Sequence, residues 1–118
     1  MFKHQNCNNL IFVDNKDKEK IMGIYGIIVN NEIVYVGQSN NIVKRCKQHT
    51  LKITKPIEKC EKYKGDLTPL YIELKQYFFN NINIKFVILE RIKNADLLKE
   101  REKFYINKYQ PKLSIHDW

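Results

Sequence analysis

Residues 22 to 49 read MGIYGIIVNNEIVYVGQSNNIVKRCKQH, and the fold follows from how this stretch divides. Two apolar, β-branched runs, Ile24 to Val29 and Ile33 to Val36, are joined by Asn30 and Asn31. Asn tolerates the left-handed backbone that a tight turn requires, so the pair predicts a β-hairpin. After Gly37 the apolar spacing changes from two to about 3.6, the helical period. Ser39 or Asn40 is placed to cap this helix, on which Arg45 and His49 lie one turn apart on one face.

The hairpin raises a question of register. A regular two-residue turn at Asn30-Asn31 pairs Val29 with Glu32 and Tyr25 with Val36, which sends Tyr25 and Tyr35 to opposite sides of the sheet. A connection one residue longer, or a bulge, sets Tyr35 opposite Ile27 and on the same face as Tyr25. A shared site needs the second arrangement. A three-residue connection or a bulge is therefore expected between Val29 and Tyr35.

Gly23-Ile24-Tyr25, Tyr35-Val36-Gly37 and the helical Arg45 and His49 together resemble the GIY-YIG nuclease domain. The resemblance extends to Glu102 in EKFYI and to the ending Tyr109-Gln110-Pro111-Lys112-Leu113, so it covers residues 22 to 114. It implies metal-dependent endonuclease cleavage of DNA. It also implies a tyrosine near the attacking water, an arginine on the phosphate and a glutamate on the metal. Carried over, the catalytic set is Tyr25, Tyr35, Arg45, His49 and Glu102, with Glu102 holding one Mg2+ or Mn2+ per active site. The chain departs from the family pattern twice. Ser114 stands where many members have a supporting asparagine, and Gln38 stands where some have lysine.

The residues themselves are compatible with that chemistry. A guanidinium fork matches phosphate oxygens, and a hydrated divalent cation on one carboxylate stabilises a departing alkoxide. A tyrosine serving as base needs its hydroxyl, ordinarily titrating near 10, pulled down; Arg45 and the metal are expected to do this. His49 is suited to accept or relay the proton. Glu102 falls on one helical stripe with Leu98, Tyr105 and Tyr109. A carboxylate there must be paired, protonated or metal-bound, and on the residue alone a structural ion pair is the competing reading.

The 118 residues suffice for one domain, and the net charge of +8 favours a polyanionic partner. Lysine supplies nearly all of the charge, since Arg45, Arg91 and Arg101 are the only arginines. Lys44 faces outward on the first helix, and Lys52, Lys55, Lys59, Lys62 and Lys64 crowd the following connection, which ends at Asp66. These six lysines are the expected nucleic-acid contacts. Cys7, Cys46 and Cys60 lack the spacing of a zinc or redox site and are expected to be reduced thiols. No apolar run approaches the roughly 20 residues that span a bilayer. With no signal peptide either, a cytoplasmic, intracellular protein without membrane association is expected.

Beyond the connection, Asp66 or Thr68 starts a second helix with Pro69 in its first turn. Leu70, Leu74, Tyr77 and Phe78 recur at helical spacing as core, and core packing outweighs base stacking for Tyr71, Tyr77, Phe78 and Phe79. Ile84 to Leu89 reads as a third strand, and Asn94 or Asp96 begins a last helix ending near Lys108. The expected fold class is α/β: a small three-stranded antiparallel sheet with helices on both sides. Residues 1–21 form an arm or extra strand, and 22–118 the nuclease-like domain. The alternative function is a catalytically silent nucleic-acid-binding module retaining the fold. Specificity is expected from the lysine-rich loop, the arm, a homodimer or a separate subunit.

Overall fold

The structure, a computed structural model, describes residues 11–13, 19–61 and 65–114. Lys62 and Lys64, and most of the expected N-terminal arm, lie outside these residues. Among the described residues four strands form one antiparallel sheet: β1 (Ile11–Phe12), β2 (Gly23–Val29), β3 (Glu32–Ser39) and β4 (Ile84–Arg91), in the order β1-β4-β2-β3. The three expected strands are its body. The two residues of β1 extend it at the far edge by pairing with Ile88 and Val87. Three helices follow the expected order: α1 (Ile42–Thr54), α2 (Pro69–Phe79) and α3 (Leu98–Tyr109).

Asn30 and Asn31 both take positive φ, 54° and 63°, as a two-residue hairpin turn demands. Val29 pairs with Glu32 and Ile28 with Ile33, but Ile27 then pairs with Tyr35. Val34 is thus the extra residue of a bulge. It packs with Tyr35 on one face, while Ile33 and Val36 pack on the other. The turn is the short one, and the bulge alone puts both tyrosines on the same side, as expected.

That side belongs to α1 and α2. Tyr25, Ile27, Val29 and Val34 pack there against Ile42, Cys46, Ile53, Tyr71 and Leu74. The opposite face, with Ile24, Ile28, Ile33, Val36 and Val87, is covered by Leu98 and Ile106 of α3. The sheet is therefore buried on both sides, which explains why β2 is apolar along its whole length rather than alternating. Close approach fixes two glycines. A Cβ on Gly23 would meet the Glu90 carbonyl oxygen at 1.9 Å, and one on Gly37 would meet the Tyr25 ring at 2.7 Å.

Local chemistry sets the ends of the helices. Asn41, one residue past the expected caps, accepts from the Lys44 amide at 3.2 Å, and Ser39 Oγ accepts from the Asn41 amide at 3.0 Å. Thr68 caps α2 ahead of Pro69. Asp66 has a different duty, described below. Asn94 caps a single 3₁₀ turn, Ala95–Leu97, that leads into α3. Lys75, buried in α2, donates to the carbonyls of Lys52 and Lys55 at the end of α1, so a cation closes that helix. Phe78 and Phe79 are more exposed than a core assignment allows, at 39% and 51%, because they sit at the C-terminal end of α2.

Gln110, in the left-handed conformation, turns the chain back after α3. The Leu113 amide then donates to the Val34 carbonyl at 2.8 Å. Ser114 Oγ accepts from the Val36 amide at 2.8 Å and donates to its carbonyl at 3.2 Å. These bonds cover the free edge of β3. Ser114, fully buried, thereby supports the Tyr35-Val36-Gly37 strand by its own means. Among the described residues Cys46 and Cys60 are free thiols, and no helix is long and apolar enough to cross a membrane.

Candidate active site

Four of the five expected catalytic residues meet on the α1/α2 face. Tyr25 comes from β2, Tyr35 from β3 beyond the bulge, and Arg45 and His49 from successive turns of α1. Tyr25 Oη lies 2.6 Å from His49 Nε2. The Tyr35 ring is 6.3 Å from that of Tyr25 and 6.1 Å, edge-on, from His49. On its other nitrogen, Nδ1, His49 meets Tyr71 Oη at 2.7 Å, and Phe86 of β4 stacks on the imidazole at 6.1 Å. His49 is fully buried and Tyr25 is 1% exposed; Tyr35 and Arg45 are half-buried. The helical wheel sets His49 beside the apolar stripe, but four aromatic neighbours from three strands and α2 enclose it.

Burial decides the protonation states. It holds the His49 imidazole down to about 3, with Arg45 and Lys52 adding repulsion, so the ring is neutral at any ordinary pH. It also pushes the Tyr25 hydroxyl well above its usual value; Tyr35 adds to this, and Arg45 opposes it. The expected lowering of the Tyr25 value is thus reversed in this state, because desolvation of a phenolate outweighs one half-buried guanidinium. Cys46, on the same stripe of α1, is pushed up to about 12 by burial and remains a thiol.

A neutral buried histidine ties stability to pH. The unfolded chain binds a proton near 6.5 that the folded chain refuses until about 3. Stability is complete above 6.5 and falls as the pH drops below it, by about 1.4 kcal/mol per unit for a fully coupled group. Asp66, held down to about 2, adds its own loss only below 3.8. Between 6.5 and 3.8 His49 therefore contributes a stability that falls as the pH drops. Urea unfolding across that range should show it, and His49→Gln should flatten it.

Among the described residues Arg45 is the arginine with no ion pair to a carboxylate. Arg91 pairs with Glu19 and Arg101 with Glu90. Arg45 donates to Gln48 Oε1 at 3.3 Å, and the hydroxyls of Tyr25, Tyr71 and Tyr35 are the groups that act on its charge.

Glu102 stands apart. It projects from α3, on the opposite face of the sheet, and its Oε1 accepts from Gln38 Nε2 at 3.2 Å. Gln38 directly follows Gly37, the residue that the Tyr25 ring covers. The carboxylate and the tyrosine cluster thus touch adjacent residues of β3, 38 and 37, from opposite faces of the sheet. The amide of Gln38 gives no charge, but it orients the carboxylate.

The lysines divide. Lys44 and Lys59 are exposed. Lys52 and Lys55 instead pair with the buried carboxylate of Asp66, at 3.5 Å and 3.0 Å, and the Glu61 amide donates to the same carboxylate at 2.9 Å. Asp66 is the hub of the lysine-rich connection, not the start of α2. Two of the six expected phosphate contacts are thereby partly neutralised within the fold.

The tyrosine–histidine–arginine cluster thus lies on one face of the sheet and the carboxylate of Glu102 on the other. The family model of the GIY-YIG catalytic domain matches residues 21–114. The chain belongs to that family. A solved structure of a mutant of bacteriophage T4 EndoII is similar to this chain with a TM-score of 0.53 at 19% identity, covering 90% of this chain and 87% of that one. At that identity the likeness shows a shared fold. No curated protein matches the chain.

Proposed function

We propose that the protein is an endonuclease that hydrolyses DNA phosphodiester bonds with the help of one divalent cation. The observation that carries this reading is the 2.6 Å contact of Tyr25 Oη with a neutral His49, beside a guanidinium that no carboxylate claims among the described residues. Hydrolysis needs a proton acceptor near the water, positive charge on the phosphate and stabilisation of the departing oxygen. Tyr25, hydrogen-bonded through its proton to the neutral His49 Nε2, acts on the attacking water once it ionises. Arg45 steadies the resulting phenolate and grips the phosphate through its fork. Tyr35, the more exposed tyrosine, orients the water.

Glu102 would hold the cation, Mg2+ or Mn2+. Among the described residues there is no cluster of three or more His, Cys, Asp or Glu side chains. One carboxylate, oriented by Gln38, fits a cation that keeps most of its own waters and does not fit one needing an all-protein cage. Bound there, such a cation supplies positive charge for the departing alkoxide. Lys44 and Lys59 are the exposed members of the proposed DNA contacts, with Lys62 and Lys64 completing them. Specificity would come from this loop, the N-terminal arm, a homodimer or a separate subunit.

A second reading, a silent DNA-binding module that keeps the fold, draws on the burial of Tyr25 and His49. Supercoiled plasmid incubated with the protein in Mg2+, Mn2+ or EDTA separates the two. The nuclease reading expects nicking with either cation and none with EDTA. It also expects a rate that rises with pH, as ionisation of a phenol with a raised pKa demands. Binding without nicking at every pH and with both cations would establish the silent module.

A further inference from the structure

Tyr71 enters the sequence as one more aromatic at core spacing, yet its hydroxyl occupies the second nitrogen of His49. It is held there by the start of a helix: Thr68 caps α2, Pro69 follows, and the Tyr71 amide donates to Thr68 Oγ1 at 3.4 Å. Its ring lies 5.7 Å from that of His49, and the Lys52 ammonium sits 5.5 Å above it. The hydroxyl thus has little freedom to leave the imidazole.

The two contacts of His49 are not independent. A neutral imidazole has one N–H and one lone pair, so of Tyr25 and Tyr71 one donates to the ring and the other accepts from it. The partners of Tyr25 decide which. Its buried hydroxyl interacts with His49 and with Arg45. Arg45 has only donors, so the Tyr25 proton goes to Nε2. The ring proton must then sit on Nδ1, where Tyr71 Oη accepts it at 2.7 Å.

We infer that Tyr71 is a positioning residue of the proposed reaction: by accepting from Nδ1 of His49, it fixes the tautomer in which Nε2 is open to the Tyr25 proton. The catalytic consequence rests on the nuclease reading; the tautomer does not. Without the Tyr71 hydroxyl, a buried Nδ1–H loses its acceptor and is left unsatisfied. The tautomer carrying its proton on Nε2 is then favoured. It donates to Tyr25 and no longer accepts its hydrogen bond.

Nitrogen NMR of the His49 ring in wild type and Tyr71→Phe tests this, together with kcat and KM for plasmid nicking. Phenylalanine keeps the ring and removes the hydroxyl alone. The wild type should carry its ring proton on Nδ1. In Tyr71→Phe the Nε2–H form should gain population, and kcat should fall on the order of tenfold with KM unchanged. A tyrosine that merely fills the core would move neither ring tautomer nor kcat. A wild-type ring protonated on Nε2 overturns the inference, as does a variant with wild-type tautomer and kcat. Should Tyr71→Phe not fold, the wild-type ring decides alone. A wild type that nicks no DNA ends the nuclease reading and leaves the tautomer to the ring measurement.

Discussion

Glu102→Ala should reduce plasmid nicking by roughly a thousandfold, the several kcal/mol that a metal-held charge contributes to a phosphoryl transition state. The fold should survive. Glu102 is half-buried on α3, and its contact with Gln38 joins an uncharged amide to a carboxylate at 3.2 Å across 64 residues. Loss of such a part-buried hydrogen bond costs about 1 kcal/mol. Apolar packing of Leu98 and Ile106 holds the helix to the sheet independently of it. Glu102→Gln separates charge from shape: it keeps the side-chain length and a partner for Gln38, yet should be nearly as inactive. Titration of Mg2+ or Mn2+ should then show no saturable dependence in either variant. If Glu102→Ala nicks plasmid at the wild-type rate, the carboxylate is structural and the cation, if one acts, is held elsewhere. If the variant unfolds, the Gln38 contact matters more than its geometry indicates.

The fold was legible in the sequence wherever the signal was local. The Asn pair specified a two-residue turn, the change of apolar period marked the start of α1, and Thr68-Pro69 marked that of α2. The bulge was legible only by its consequence. Nothing in Glu32-Ile33-Val34-Tyr35 distinguishes an extra residue from a regular strand, and β-branched residues suit either. What selects it is tertiary: a bulge at Val34 places Val34 and Tyr35 together on the α1/α2 face and keeps Ile33 and Val36 on the α3 face. The fourth strand, two residues long, is set by pairing with β4 rather than by its own pattern.

The site was legible as a set of residue types and illegible as an environment. Spacing placed Arg45 and His49 on one helical face, but it could not show that Phe86, eighty-six residues into the chain, would stack on His49. Burial of that depth reverses the expectation for Tyr25, because the loss of water around a phenolate is a property of the assembled core. Tyr71 was missed for a related reason. Aromatics at helical spacing are core by default, and only the approach of α1 to α2 reveals a hydroxyl on Nδ1. Lysine counting failed differently. Charge along the chain does not show which ammonium groups a single buried carboxylate will collect, and Asp66 collects Lys52 and Lys55. Where Gln38 and Ser114 depart from the family pattern, both positions still hold a partner in place: one orients Glu102, the other secures Val36.

Arg45→Ala should lower nicking by about a hundredfold to a thousandfold, the usual cost of removing a donor aimed at developing negative charge. Two independent features of the fold set this cost. Arg91 and Arg101 are engaged by Glu19 and Glu90 and cannot substitute for it. In addition, Arg45 is the cation that opposes the upward shift of Tyr25, so its removal leaves burial and Tyr35 unopposed. The pH at which the rate reaches half its maximum should therefore move to more alkaline values in Arg45→Ala, besides the fall in rate. Arg45→Lys distinguishes the two. A lysine restores positive charge near Tyr25 without the two-pronged match to phosphate oxygens, so its pH profile should return toward wild type while its rate stays depressed. DNA affinity should change little in either variant, since the exposed lysines provide most of the non-specific attraction. A normal rate in Arg45→Ala would remove the guanidinium from the site. A low rate with an unshifted pH profile would keep Arg45 on the phosphate but disconnect it from the ionisation of Tyr25.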